Sequence, residues 1–450
     1  MRSNSDIVRG RPAGHVSKPR VECLPRWTLA LAAIGLVTAP AHAWQLATNL
    51  TVKADLTLKE TFDSNVYLQD YEPSPLVPNA VRPFQQSLVT AVTPRLALDW
   101  KPIPQFGLST SYAPEVVTFH DEPSESHVAH RAALNFSGKV GTVEWQQFNS
   151  FTWIDGSTEG LTFGIVDPVS GRPVGAPAIG GVPIRDRREA LIFRNGFGAY
   201  HPRGRFFFRP RFSTYIHDFR TELRDPRLFP FYQNYVDRDD LNVGIDFGYR
   251  IAEGLHAVVG YWFGYQMEPP LPGYSVDYSN HYHRGIGGLE GTVTRWLKLK
   301  LNLGPAYHDF DHATPPNFDG HQVLLYVDSS AVITVSARDS LTLTVKQFMQ
   351  PAFGTPSAYE DITYDAVWRH KFCDHASLNF GFRAYGGDWL DPVKRTDWIF
   401  TPSIGMDVSF NAHLSASAAY SYDWVESYVP NTRGREFTRH LGSLAVKYAF

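Results

Sequence analysis

The sequence predicts an all-β chain: a single antiparallel up-and-down β-barrel that crosses a membrane with 18 strands, or with 16 if one weak hairpin fails. Three observations carry that expectation. Two-faced stretches of 10 to 16 residues recur from residue 48 to residue 450, with apolar and polar side chains alternating at period two. Short turns and long polar loops join them in strict alternation, as in a barrel whose two rims face different compartments. Beyond the first 43 residues no apolar run reaches 18, yet aromatics make up 14% of the chain and mean hydropathy is −0.25. A spanning strand needs only one apolar face, so low hydropathy is compatible with a membrane barrel.

The first element is a secretory signal, expected over residues 1–43. Arg2, Arg9, Arg11, Lys18, Arg20 and Arg26 form a basic lead, and Ala41-His-Ala43 is a small-residue cleavage site. The apolar stretch Trp27–Val37 is about 11 residues where a membrane helix needs about 20. The mature chain is expected at 44–450. Without the signal's six basic and two acidic residues, 36 basic residues face 43 acidic ones, a net charge of about −7 that argues against nucleic acid as a partner. Cys373 is then the sole cysteine, so no internal disulfide is expected.

The strands follow in order. Segment 48–62 sets Leu50, Val52, Ala54, Leu56 and Leu58 against Lys53, Asp55, Thr57 and Lys59. Strands at 85–100 and 105–119 meet across Lys101-Pro-Ile-Pro104, and those at 128–137 and 142–154 across Gly138-Lys-Val-Gly141. Strands 188–200 and 205–218 meet at His201-Pro-Arg-Gly204, and 238–250 and 255–267 at Ile251-Ala-Glu-Gly254. Each connection is built of turn formers. Strand 297–308 is an alternation of Leu297, Leu299, Leu301 and Leu303 with Lys298, Lys300 and Asn302. Its partner, 282–293, has no clean face, because Arg284 and Glu290 share parity with Ile286. A glycine-allowed bulge that switches faces is expected there, since a charge at the lipid midplane would cost roughly 2–4 kcal/mol. The remaining strands are 322–335, 340–349, 361–370, 376–387, 397–409, 413–425 and 437–450. A soluble sandwich would use strands of about 5–6 residues, and Trp100, Trp153, Trp296, Trp368, Trp398 and Trp424 near strand ends read as interfacial girdles.

The last strand ends on Phe450, with Leu444, Val446 and Tyr448 on the same face. This resembles the C-terminal signature of bacterial outer-membrane β-barrels. The resemblance implies that these four residues are read by the barrel-assembly machinery, and that the strand closes against Leu50–Leu58. Glu60-Thr-Phe-Asp-Ser-Asn-Val-Tyr67 ends the first strand in a polar tip, with Asp63 and Asn65 as turn formers. It resembles the first hairpin of the type 2 β-barrel porin family, outer-membrane proteins sometimes encoded with exopolysaccharide export systems.

Eighteen strands leave room for an aqueous channel, and two features could shape it. The 155–187 connection is rich in Gly, Pro and small apolar residues, and is expected either to fold inward as a constriction loop bearing Asp155, Glu159 and Asp167 or to be a surface hairpin. General porins resemble this in their third long loop. Arg205, Arg209 and Arg211 share the polar face of 205–218, with Arg188 and Arg194 on the preceding strand. Charges are expensive in lipid, so these arginines are expected to line the pore, either as an anion-favouring wall or neutralised by partners such as Asp246. His281 with His283, and Cys373 with Asp374 and His375, read as loop-tip polar residues, so no metal or other cofactor is expected, and no nucleophile–base arrangement is recognisable.

Three functional readings follow. The first is an outer-membrane porin-like channel for passive diffusion of small hydrophilic solutes. The second is the barrel component of an exopolysaccharide or other export system with periplasmic partners. The third, an outer-membrane hydrolase, lacks the acid–base set it needs. Membrane lipid and the assembly machinery are expected partners, and a homo-oligomer is compatible with the sequence.

Overall fold

A computed structural model describes residues 44–450 apart from 69–84, 156–188, 221, 226–227, 229–233, 274, 277, 312–317, 353–357, 392–394, 430–431 and 434–435. The expected signal segment therefore lies outside the described residues. In chain order the strands are β1 (Trp44–Ala47), β2 (Leu50–Asp63), β3 (Ser87–Ile103), β4 (Phe106–Phe119), β5 (His127–Val140), β6 (Val143–Ile154), β7 (Ala190–Arg203), β8 (Phe206–Phe219), β9 (Arg238–Ala252) and β10 (Leu255–Met267). They continue as β11 (Asn280–Thr294), β12 (Leu297–Phe310), β13 (His321–Thr334), β14 (Asp339–Pro351), β15 (Ala358–Cys373), β16 (Ala376–Trp389), β17 (Thr396–Ser409), β18 (Leu414–Val429), β19 (Thr432–Arg433) and β20 (Thr438–Ala449).

Leaving aside the short β1 and β19, 18 long strands pair antiparallel in sequence order, and β20 returns to β2 to close the sheet. Closure removes the free edge that an open sheet would expose. The seam is staggered relative to the sequence expectation: β20 pairs with Asp55–Asp63, which overlaps the expected Leu50–Leu58 only at Asp55–Leu58. Strands of a barrel tilt, so first and last strands meet out of step. The part of β2 left beyond β20 is paired instead by β1, where Trp44 faces Val52 and Ala47 faces Leu50.

The two faces separate by parity. Leu58, Val116, Phe151, Val259 and Leu325 stand exposed on the outer face, 42–62% open to solvent in the isolated chain. Such an apolar band is satisfied only by lipid. Closed barrels with this band are the spanning form of the bacterial outer membrane, and that is where this protein resides. The eight short turns and the two ends of the described chain share one rim, and nine long connections form the other. The short-turn rim is the periplasmic one in such barrels.

β11 corrects one expectation. No bulge interrupts it between Arg284 and Glu290; its pairing with β12 stays in register until Thr292. Tyr282, Arg284 and Ile286 are 0%, 6% and 6% exposed and all point inward, with Glu290 on the same face. The lipid face is made of His281, His283, Gly285, Gly287 and Leu289. The strand looked unclear because its apolar Ile286 belongs to the interior, packed with Ala306, Tyr326, Trp262 and Phe348, while its outer face is mostly glycine and histidine. The hairpin with β12 therefore stands, and the count is 18.

The tip of β2 is tied across the seam. Asp63 accepts two hydrogen bonds from Arg439, at 2.9 and 2.5 Å, and one from the Asn65 backbone N–H at 3.0 Å. The Asn65 amide donates to the Thr438 carbonyl, and the Tyr67 hydroxyl to Glu122 at 2.5 Å. Asp63 is thus the Asx-type turn former expected of it, and it also joins the first and last barrel strands. Leu68 then turns inward onto Tyr385, Ile399, Val425 and Phe437.

Candidate functional site in the barrel lumen

The inner wall carries a compact charge cluster where β8, β9 and β11 approach one another. Arg209 stands directly opposite Asp246 in the β8–β9 ladder. Its guanidinium donates to Asp246 at 3.0 Å through Nε and reaches on to Glu290, forming bonds of 2.9 and 2.8 Å from its two terminal nitrogens. Arg211 shares the same Asp246 oxygen at 2.9 Å, and Trp262 Nε1 donates to the other at 2.9 Å. Asp246 is 3% exposed, so its charge is tolerable only because these donors surround it. Two guanidiniums and two carboxylates leave the cluster with no net charge. It is a braced wall with polar atoms toward the channel, not a free anion trap.

Local sequence makes the close approach possible. Gly260 faces Asp246 across the β9–β10 ladder, and a Cβ at that position would sit 2.5 Å from Asp246 Oδ1. Gly248 lies under the Phe207 ring, which a Cβ would meet at 2.0 Å. That ring in turn supports the Arg209 guanidinium at 5.4 Å, and Trp262 supports Arg211 at 5.3 Å. A lumen cavity of about 760 Å³ opens beside the two arginines, with Phe148, Tyr200, Ser213 and Asn242 among its lining residues.

Toward the long-loop rim the interior is filled. Asn280, Tyr282, His308, Tyr359 and Asp361 are all 0% exposed although they sit on the inner face. The Tyr282 hydroxyl and the Gln266 amide both donate to Asp240, each at 2.9 Å, and Asp361 accepts from Gln350 at 3.0 Å and Tyr385 at 3.1 Å. Arg284 lies over the Tyr282 and Tyr326 rings at 4.0 and 4.7 Å. Two contacts skip the intervening strands: Arg238 of β9 donates to the Pro351 carbonyl at 2.8 Å, and Gln266 of β10 to the Met349 carbonyl at 3.4 Å. Both acceptors lie at the end of β14, so this sector of the wall folds toward itself and narrows the lumen.

The sequence-predicted residues fall as follows. Arg209, Arg211 and Asp246 come together in the cluster described above. Arg194 is on the same inner face of β7, with its guanidinium 4.9 Å from the Tyr215 ring, and belongs to the narrowed region. Arg205 is set apart from the cluster; it is exposed in the Gly204–Arg205 turn at the short-turn rim. Asp155 is exposed just past β6, while Glu159, Asp167 and Arg188 lie outside the described residues. Leu444, Val446 and Phe450 are exposed on the outer face, and the Phe450 ring meets Tyr448 edge-on at 5.1 Å. Sequence reading missed Glu290, because it was assigned to a face-switching segment. Placing every charge of β11 inward, as lipid energetics demands, would have found it. Among the described residues no group of three His, Cys, Asp or Glu is placed to hold a metal ion.

No protein-family model matches the chain, and no curated protein matches it in sequence. Solved structures similar to it include the outer membrane protein OpdK from Pseudomonas aeruginosa, at 11% identity and a TM-score of 0.43 over 89% of this chain and 98% of that one. A BenF-like porin from Pseudomonas fluorescens Pf-5 gives 9% identity and 0.44, covering 89% and 99%. The siderophore receptor PirA from Pseudomonas aeruginosa gives 7% and 0.40, covering 89% and 80%. A likeness at this level is shared by proteins of different roles and has no bearing on solute or partner.

Proposed function

We propose that the protein is an outer-membrane channel that passes small hydrophilic solutes by passive diffusion, through a lumen narrowed toward its long-loop end. The observation that carries this is the wall chemistry of the closed barrel. Its short-turn half encloses a cavity of about 760 Å³ whose lining combines charged and polar side chains, among them Lys101, Glu144, Arg209 and Arg211, with aromatic ones such as Phe148 and Tyr200, and the ionised groups there call for water. The neutral Arg209–Arg211–Asp246–Glu290 cluster supports weak rather than strong ion selectivity. Purified protein should show heat-modifiable migration on a gel and conduct ions in a planar bilayer. Stable insertion with no conductance would overturn the channel reading. It would favour the second one, a barrel that works only with periplasmic export partners.

A further inference from the structure

The short-turn mouth carries an excess of unpaired cations. Lys101, Arg205, Arg250, Lys298, Arg338 and Lys371 each lie in or within three residues of a different short turn, six of the eight. All six are exposed, and none forms an ion pair among the described residues. Lys101, Arg250, Lys298 and Lys371 continue the inward-facing parity of their strands, so their heads border the opening rather than the lipid. The carboxylates nearby are few. Asp99 is held by Lys53 at 2.8 Å, Glu144 by Lys139 at 2.8 Å and Asp339 by His370 at 2.7 Å, leaving Glu253, Asp374 and Asp407 exposed. Among the described residues of the opposite rim, the exposed cations Arg220 and Arg224 are paired with Asp218 and Glu222, while Asp121, Asp155, Asp319 and Asp391 are exposed.

Spacing decides what such a ring can hold. Adjacent short turns are two strands apart, and at about 4.8 Å between strands tilted by about 40° that is roughly 12 Å along the rim. This exceeds the Debye length of about 8 Å at physiological salt, so each cation acts on a small anion nearly alone. A flexible polymer with a negative charge on every unit can meet several of them at once, and the weak contacts then reinforce each other.

We propose that this cationic collar is a binding site for a linear polyanion, one bearing carboxylates or phosphates along its length, presented from the periplasmic side. The polymer's route into the lumen rests on the channel reading above; its binding does not. Poly-L-glutamate is a suitable probe. Added to single channels in a planar bilayer at 0.15 M KCl, it should block current from one side at about tenfold or more lower concentration than from the other. The sidedness should vanish in 1 M KCl, and also in the variant Lys101→Gln/Arg250→Gln/Arg338→Gln/Lys371→Gln. Fluorescently labelled poly-L-glutamate should bind the full-length protein in detergent, and bind the same variant at least about tenfold more weakly. Equal block from both sides, or binding unchanged in the variant, would overturn the collar as a polyanion site. Binding lost in the variant of a barrel that never conducts would uphold the collar and overturn the channel reading instead.

Discussion

Replacing Asp246 with Asn tests the braced wall most directly, because it removes a charge while keeping the side chain's shape. Asp246 accepts from Arg209, Arg211 and Trp262, all at 2.9–3.0 Å, and is 3% exposed. Removing one partner of a buried ion pair costs about 3–5 kcal/mol. Arg209 keeps Glu290, so the cost should fall at the lower end, about 3 kcal/mol. The variant also leaves the cluster with one excess positive charge. A permeating ion passing about 5 Å away feels about 0.8 kcal/mol even in water-like dielectric, roughly fourfold for an ion of either sign and in opposite directions, so about 16-fold in the anion-to-cation permeability ratio at low salt. Equilibrium unfolding from lipid vesicles would read the first quantity, and the reversal potential in a salt gradient the second. Adding Arg211→Gln restores neutrality and should return the reversal potential most of the way to that of the unsubstituted protein. Stability unchanged within about 0.5 kcal/mol would refute the buried, three-donor environment. An unmoved reversal potential would show that ions do not pass this wall.

Three further perturbations follow from the same structure. Gly288→Ala would place a Cβ 1.7 Å from the Leu301 backbone carbonyl, so strands β11 and β12 must part; a loss of about 1–3 kcal/mol or more is expected in unfolding from vesicles, and a variant as stable as the parent would contradict the close approach. Arg439→Ala strips Asp63, whose side chain is 3% exposed, of its bidentate partner at the seam; the heat-modification midpoint should fall, by the equivalent of about 3 kcal/mol, and an unshifted midpoint would mean the β2–β20 ladder alone holds the closure. Val259→Arg sets a charge on the outer face of β10, where the native side chain is 62% exposed; folding into vesicles should weaken by about 2–4 kcal/mol if the site is near the midplane, and insensitivity would mean that this face does not meet lipid.

The alternation of apolar and polar residues placed the spanning strands apart from 282–293, which has no clean face, and parity alone sent Arg209, Arg211 and Asp246 to the interior. Period-two patterning is a local property, and the expense of a charge in lipid applies residue by residue, so both are legible without coordinates. The stagger of the β2–β20 seam was not, because closure depends on the summed tilt of every strand. Nor was the partner of Arg209. Asp246 is in the next strand, but Glu290 is three strands on, and only the folded wall brings it to 2.8 Å. The filling of the long-loop half was likewise hidden. Arg238 meets the Pro351 carbonyl across 113 residues of sequence, a contact that no repeat or spacing announces. What the chain encodes locally is which face of each strand meets lipid. What the lumen admits is set by side chains converging from distant strands, and convergence exists only once the barrel has closed.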